Sequence, residues 1–218
     1  MAHGDDDGVI IPPRVAPNQI VILPVTPKPE TRQEVIDACE ALAQTLRTQT
    51  FGGEPLRVHV DKRDLQGGAK NWEWIKKGVP MRLEMGPRDI TSRSVAVCRR
   101  DQGPKAKEFV PKEEFIRTVT ERLEEIQDAL LARATALRDA NMKKLETLEE
   151  FKAYFAENSE GGFALMNWAG SSEDEDALSK ELKVTIRCIP HGDQFAEEGK
   201  CFLTGKPSSR RVIFARSY

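Results

Sequence analysis

The sequence predicts an α/β fold: a mixed sheet flanked by helices, then a long connecting helix and a second small α/β domain. Three observations carry this. An apolar run at residues 19–25, a helical stripe over 30–47 and an alternating segment at 56–60 give the strand–helix–strand order of a parallel crossover unit. Residues 112–141 place Phe115, Val119, Leu123, Ile126, Leu130 and Leu131 at helical spacing with charges between them. Beyond residue 146, strand and helix patterns alternate once more.

Taken in order, residues 1–17 read as an irregular tail, acidic and then proline-rich, unable to fold alone. Ile20, Val21, Ile22 and Leu23 make a buried strand closed by Pro24 and Pro27. Val35, Ile36, Cys39, Leu42 and Leu46 form the apolar stripe of the first helix, and Gly52-Gly53 breaks the chain after it. Residues 56–60 alternate as a half-buried strand, and a short helix is expected over 71–77. Strands at 81–85 and 94–99 complete a β-α-β-α-β-β unit. After the long helix, Thr147-Leu148-Glu149-Glu150 is a capping box opening another helix, with Phe151, Tyr154 and Phe155 on its apolar side. A strand at 162–168, an acidic linker at 171–176, a helix at 176–182, a strand at 184–189, a loop at 190–200 and a strand at 212–215 follow.

Composition narrows the class. Hydrophobic residues make up 39% and charged residues 31%, as in a soluble globular chain, and no apolar run reaches the roughly 18 residues that span a bilayer. The N-terminus is acidic where a signal peptide is basic and then apolar, so the reading is cytoplasmic with no membrane partner. Four cysteines lack paired spacing, which suits a reducing compartment; Cys39, Cys98 and Cys188 fall in apolar-periodic segments and read as small core hydrophobes. Net charge is −2, yet residues 57–107 hold thirteen Lys/Arg against six acids, a local +7 that suits a polyanionic partner.

Residues 78–89, Gly-Val-Pro-Met-Arg-Leu-Glu-Met-Gly-Pro-Arg-Asp, are the most informative stretch. On a strand Arg82 and Glu84 project from one face, while Met81, Leu83 and Met85 take the other. A carboxylate accepts both Watson–Crick donors of a guanine, Arg or Lys suits its O6 and N7, and aromatic rings stack on splayed bases. Lys70, Trp72, Glu73, Trp74, Arg82, Glu84 and Arg88 supply all three chemistries within nineteen positions. The same residues are open to a plainer reading, an Arg-Glu pair on a solvated sheet face with a core tryptophan. Gly67-Gly68-Ala69-Lys70 lacks the P-loop pattern, His3, His59 and His191 have no catalytic neighbours, and no complete active site is visible.

The motifs resemble the C-terminal part of prolyl-tRNA synthetase, in the bacterial enzymes of the eukaryote- and archaea-like type. His3-Gly4-Asp5-Asp6-Asp7-Gly8 and residues 11–17 resemble the end of a class II catalytic domain. Residues 78–89 resemble the hallmark of the anticodon-binding domain, residues 185–190 and 199–201 the C-terminal domain, and Phe214-Ala215-Arg216-Ser217-Tyr218 the family's closing sequence. The resemblance implies a catalytic-domain tail at 1–17, an anticodon-binding domain at 18–111, a connecting helix at 112–145 and a C-terminal domain at 146–218. It implies tRNA(Pro) as partner, its two anticodon guanines read by Lys70, Arg82, Glu84 and Arg88, with Arg63, Glu73, Trp74 and Lys77 as further tRNA contacts. Ile75 stands where many relatives carry glutamate, and Glu73 is either its substitute or a surface acid.

ATP with magnesium, and proline activation, belong in the family to the catalytic domain. No catalytic residue is expected in this chain, although the Tyr218 carboxylate matches one that supports that absent site. The full-length family enzymes are homodimers, whereas this piece alone is compatible with a monomer. Many relatives bind zinc through four cysteines; the matching positions here are Ala169, Asp174, Cys201 and Thr204, so zinc is expected to be absent. The alternative function is a freestanding, non-enzymatic tRNA- or protein-binding paralogue. A flavodoxin-like enzyme has only the α/β pattern behind it.

Overall fold

The computed structural model describes residues 3–26, 28–65, 67–103, 106–192 and 195–216. It comprises two compact units, residues 1–134 and 135–218. In the first, strand β1 (Ile20–Pro24) is buried along its whole length, as a continuous apolar run requires. Helix α1 (Arg32–Arg47) crosses to β2 (Val58–Val60), which pairs parallel to β1. Helix α2 (Gly67–Lys76) then leads to β3 (Met81–Met85), parallel on the other side of β1. A short helix α3 (Pro87–Ser92), strand β4 (Ser94–Arg99) and strand β5 (Glu108–Pro111) follow, with β4 antiparallel to β3 and β5 antiparallel to β4. The sheet order is β2-β1-β3-β4-β5, a mixed sheet as the sequence predicts. Helix α3 and strand β5 are additions to the expected β-α-β-α-β-β series.

Strand alternation divides the sheet into two faces. Ile20, Ile22, Met81, Leu83, Val95 and Val97 join one core with Val35, Cys39, Leu42 and Leu46 of α1 and Phe115, Val119, Leu123, Ile126 and Leu130 of α4 (Lys112–Asn141). Each such side chain contributes about 2 kcal/mol when buried, so packing, not helix propensity, fixes the 30-residue α4. The opposite face buries Val21 and Leu23 against Trp74 of α2 and Val79.

Here the expected solvated face of β3 is overturned. Arg82 pairs in register with Val21 and is fully buried, because α2 lies over this half of the face.

The N-terminal stretch is more ordered than its prolines suggest. Gly4–Asp5 and Gly8–Val9 pair as a small hairpin, Ile10 enters the main core, and the Ile11 N–H donates to the Gly78 carbonyl. The buried Arg100 holds the hairpin, donating to both Asp5 carboxylate oxygens and to the Gly8 carbonyl. Gly78 turns α2 into β3 at φ 70°, and a Cβ there would stand 2.5 Å from the Val9 carbonyl oxygen. That position admits only glycine.

The second unit is a four-stranded sheet of order β6-β7-β9-β8: β6 (Met142–Lys144), β7 (Phe163–Asn167), β8 (Val184–Cys188) and β9 (Arg211–Arg216). Strand β6 was not foreseen. Helix α5 (Leu148–Tyr154) opens on the expected capping box: the Glu150 N–H donates to the Thr147 hydroxyl, and the Thr147 N–H to the Glu150 carboxylate. Phe151, at the centre of the core, meets Phe155, Phe202 and Phe214 at 4.8–5.2 Å between ring centres.

The acidic linker at 171–176 is instead the start of helix α6 (Ser172–Leu182), capped by Ser171 and Asp174. Its acids fall in the first turn, where the helix dipole favours negative charge. Cys188 is exposed, unlike the core thiol expected, while Cys39, Cys98 and Cys201 are buried; all four are free. Cys188 ends β8 beyond an irregularity in its pairing with β9, so strand alternation no longer turns it inward.

Candidate nucleic-acid interface

Ligands of open α/β sheets bind beyond the carboxyl ends of the parallel strands. At that edge of the first unit lies a cleft of about 310 Å³, lined by Leu23, Pro24 and Val25 after β1, Gly67, Gly68, Lys70 and Asn71 of α2, and Glu84 of β3. A second depression of about 560 Å³ shares Val25 and runs over Lys28, Thr31, Gly86, Pro87, Arg88 and Asp89. The glycines that looked like a loop form the first turn of α2, so its free backbone N–H groups lie on the cleft wall.

Glu84 is the acidic group of this strip. Its side chain is about one-fifth exposed and accepts a 2.7 Å bond from Lys107 Nζ. That bond holds the Lys107 ammonium above its ordinary pKa, and burial together with the Glu84 charge raises the neighbouring Cys98 thiol. Arg88 is exposed at the start of α3, and no ion pair or side-chain hydrogen bond engages its guanidinium among the described residues. Glu84 thus lines the first depression and Arg88 the second, at the same end of the sheet.

Lys70 and Arg82 lie deeper. Lys70 is 4% exposed and donates through Nζ to the carbonyls of Asp61 and Arg63, tying α2 to the end of β2. Arg82 donates Nε–H to Asn71 Oδ1 at 2.8 Å, while both its terminal nitrogens are buried without a partner among the described residues. Burial lowers its pKa, and the nearby Glu84 carboxylate opposes that. Arg82 therefore meets the cleft through Asn71, not directly.

The base-stacking role expected of Trp74 does not fit its surroundings. The indole is buried, donates Nε1–H to Asp61 at 2.8 Å, and is flanked by His59 and by the Lys77 ammonium 4.4 Å from the ring centre. Trp72 is the exposed one. Asp61 is the buried hub, taking three bonds from Arg63, two from the guanidinium and one from the backbone N–H, besides the indole, and the Arg63 side chain first among these holds its carboxyl well below the usual range. Arg63 also pairs with Glu73 at 2.9 Å, and Glu73 with Lys77 at 2.6 Å. Lys77 and then Arg63 lower the Glu73 pKa, so Glu73 is a neutralised surface acid on α2.

Asn71, Lys107 and Phe109 escaped the sequence reading. Asn71 is uncharged and has no motif, and Lys107-Glu108-Phe109-Val110, two charged residues followed by two apolar ones, shows no alternation that would mark β5.

Of the four positions matched to the relatives' zinc ligands, Ala169, Asp174, Cys201 and Thr204, one carries a thiol. Among the described residues no three His, Cys, Asp or Glu side chains converge as a metal cage. Ala169 and Thr204 offer no thiolate, and the Asp174 carboxylate is bonded to the Ser171 N–H. Burial would raise the Cys201 thiol, but hydrogen bonds from the Thr204 hydroxyl and from backbone N–H groups of Thr204, Ala169 and Leu203 outweigh it and lower the pKa. Tyr218 lies outside the described residues.

Comparison with known proteins agrees with this architecture. Residues 19–122 match the family model "Anticodon binding domain", and residues 148–218 match "Prolyl-tRNA synthetase, C-terminal". The whole chain is 53% identical over 219 residues to a proline–tRNA ligase of Akkermansia muciniphila, covering 43% of that protein. It is 50% identical to a proline–tRNA ligase of Protochlamydia amoebophila and 49% to proline–tRNA ligase 2 of Anaeromyxobacter dehalogenans, covering 44% of each. The chain therefore spans less than half the length of these relatives. With an anticodon-binding model over the first unit and the model of the prolyl-tRNA synthetase C-terminal domain over the second, the chain carries these two domains and matches the C-terminal part of proline–tRNA ligases.

Proposed function

We propose that the first unit selects tRNA(Pro) by its anticodon, as part of an enzyme that attaches proline to that tRNA using ATP and magnesium. Ligation belongs to a class II catalytic domain, which this chain does not cover, and the full-length enzyme is read as a cytoplasmic homodimer. One observation carries the reading: Glu84, in the family-matched sheet, lines a cleft of about 310 Å³ at the strand ends. A guanine presents N1–H and N2–H₂ to one carboxylate, and Lys107 gives way to it. Arg88 and Lys28 at the rim suit phosphates. Lys70, Arg82 and the Arg63–Glu73–Lys77 chain act behind them, holding α2 and the cleft wall in place. The second unit needs no zinc in this reading, and metal analysis of the purified chain should find none in stoichiometric amount.

The test uses anticodon stem-loops. RNA with both anticodon guanines should bind better than RNA with both replaced, and Glu84→Ala should shrink the ratio between them. Equal binding of the two RNAs by the wild-type chain would overturn the proposal.

A further inference from the structure

The sheet face that carries Glu84 continues outward to an aromatic ring left largely exposed among the described residues. Glu84 is paired in register with Ala96 of β4, and Ala96 with Phe109 of β5, so all three side chains leave the sheet on one side. Two strand spacings place Phe109 about 10 Å from Glu84. Val110 beside it is buried, yet Phe109 is 68% exposed. Lys107, two residues earlier on the same face, reaches back to the Glu84 carboxylate.

We propose that Phe109 is a stacking platform for the unpaired nucleotide next to the guanine held at Glu84. This rests on the anticodon reading above and adds a contact to it. A single-stranded nucleic acid offers a flat apolar base, which an exposed ring accepts, and a phosphate between successive bases, which needs a cation. The face supplies both at the right separation. A guanine that takes the Glu84 carboxylate releases the Lys107 ammonium, which then lies between the carboxylate and Phe109, where the intervening phosphate passes. The surrounding window, residues 57–107, has a net charge of +7, which suits a polyanion such as RNA. Because stacking is indifferent to base identity, Phe109 adds affinity while Glu84 keeps the choice of base.

The experiment uses the full chain with proline-type anticodon stem-loops in which either nucleotide flanking the guanine pair is replaced by an abasic unit. Phe109→Ala should weaken the intact RNA about tenfold, and Phe109→Trp should restore it. One abasic RNA should lose as much with the wild-type chain and lose nothing further with Phe109→Ala, as for two halves of one contact. Preference for the guanines should survive in Phe109→Ala. Unchanged affinity of Phe109→Ala, losses that add for both abasic positions, or a ring buried instead by concentration-dependent self-association would each overturn the proposal. If wild-type protein shows no guanine preference at all, the anticodon reading fails; if the preference stands and Phe109→Ala binds normally, only the stacking role fails.

Discussion

The two halves of one sheet face treat the same residue types in opposite ways. On and beneath α2, a lysine, an arginine and a tryptophan are spent on the fold: Lys70 on two carbonyls, Arg82 on Asn71, Trp74 on Asp61. Towards the strand ends and the antiparallel edge, Glu84, Lys107, Arg88 and Phe109 keep part or all of their polar or aromatic surface. The difference comes from α2, whose Trp74 packs on Val21 and Leu23, the register partners of Arg82 and Glu84: Arg82 is fully buried, whereas Glu84, at the strand end, keeps one-fifth of its side chain exposed. Charge and spacing mark the region of an interface; the layer above each strand decides which residues are its surface.

The strongest way to break this division is at Asp61, the hub of the inner half. Asp61→Ala strands the Trp74 N–H and removes one of two acidic partners of Arg63, which keeps Glu73, is itself 44% exposed and so recovers some loss through solvent. About 2–3 kcal/mol of stability should go, read by urea denaturation. The pH dependence has a definite sign. The folded-state pKa of Asp61 is depressed below its unfolded value, so its contribution is complete above about pH 4 and is lost as pH falls further. Asp61→Asn should flatten that acid limb; an unchanged limb would remove Asp61 as the hub.

On the outer half the expectation reverses. Glu84→Gln should leave stability within about 0.5 kcal/mol, since its one partner, Lys107, is 38% exposed. It should nonetheless cost about tenfold in preference for the anticodon guanines, measured by competition between stem-loops. Arg82→Met separates the halves more finely. It removes a buried charge with two nitrogens unpartnered among the described residues, at the cost of one bond to Asn71. Stability should stay within about 1 kcal/mol and RNA affinity within about threefold. A collapse of affinity at unchanged melting temperature would mean that bound RNA reaches Arg82 after all.

The fold was legible in the sequence where periodicity is long: β1, α1, α4 and the α5 capping box all occur as read. It failed where elements are short or polar. Helix α3 is six residues long, β5 hides behind charged neighbours, and the acids of α6 look like a linker until Ser171 and Asp174 are seen to cap it. The interface was legible as a region but not as a residue set. Alternation shows that Arg82 and Glu84 share a face, yet that face passes from covered to open between them, and only the position of α2 reveals it. Phe109 was missed because a single aromatic on an edge strand has no pattern to announce it.

Lys77 gives the smallest effect and the most discriminating one. It pairs with Glu73 at 2.6 Å and lies over the Trp74 ring, but it is about half exposed, so Lys77→Ala should cost no more than about 0.5 kcal/mol of stability. A reader of bases and a contact to phosphate differ in what they do to the ratio between RNAs. If Lys77 only meets the backbone, its loss weakens cognate and guanine-replaced stem-loops equally. The slope of log affinity against log salt then falls in magnitude by about 1. If it belongs wholly to the inner half, neither affinity nor slope moves. Titrations of both RNAs at several salt concentrations distinguish these, and a loss confined to the guanine-bearing RNA would place a base contact on the far side of α2, where the division of the face allows none.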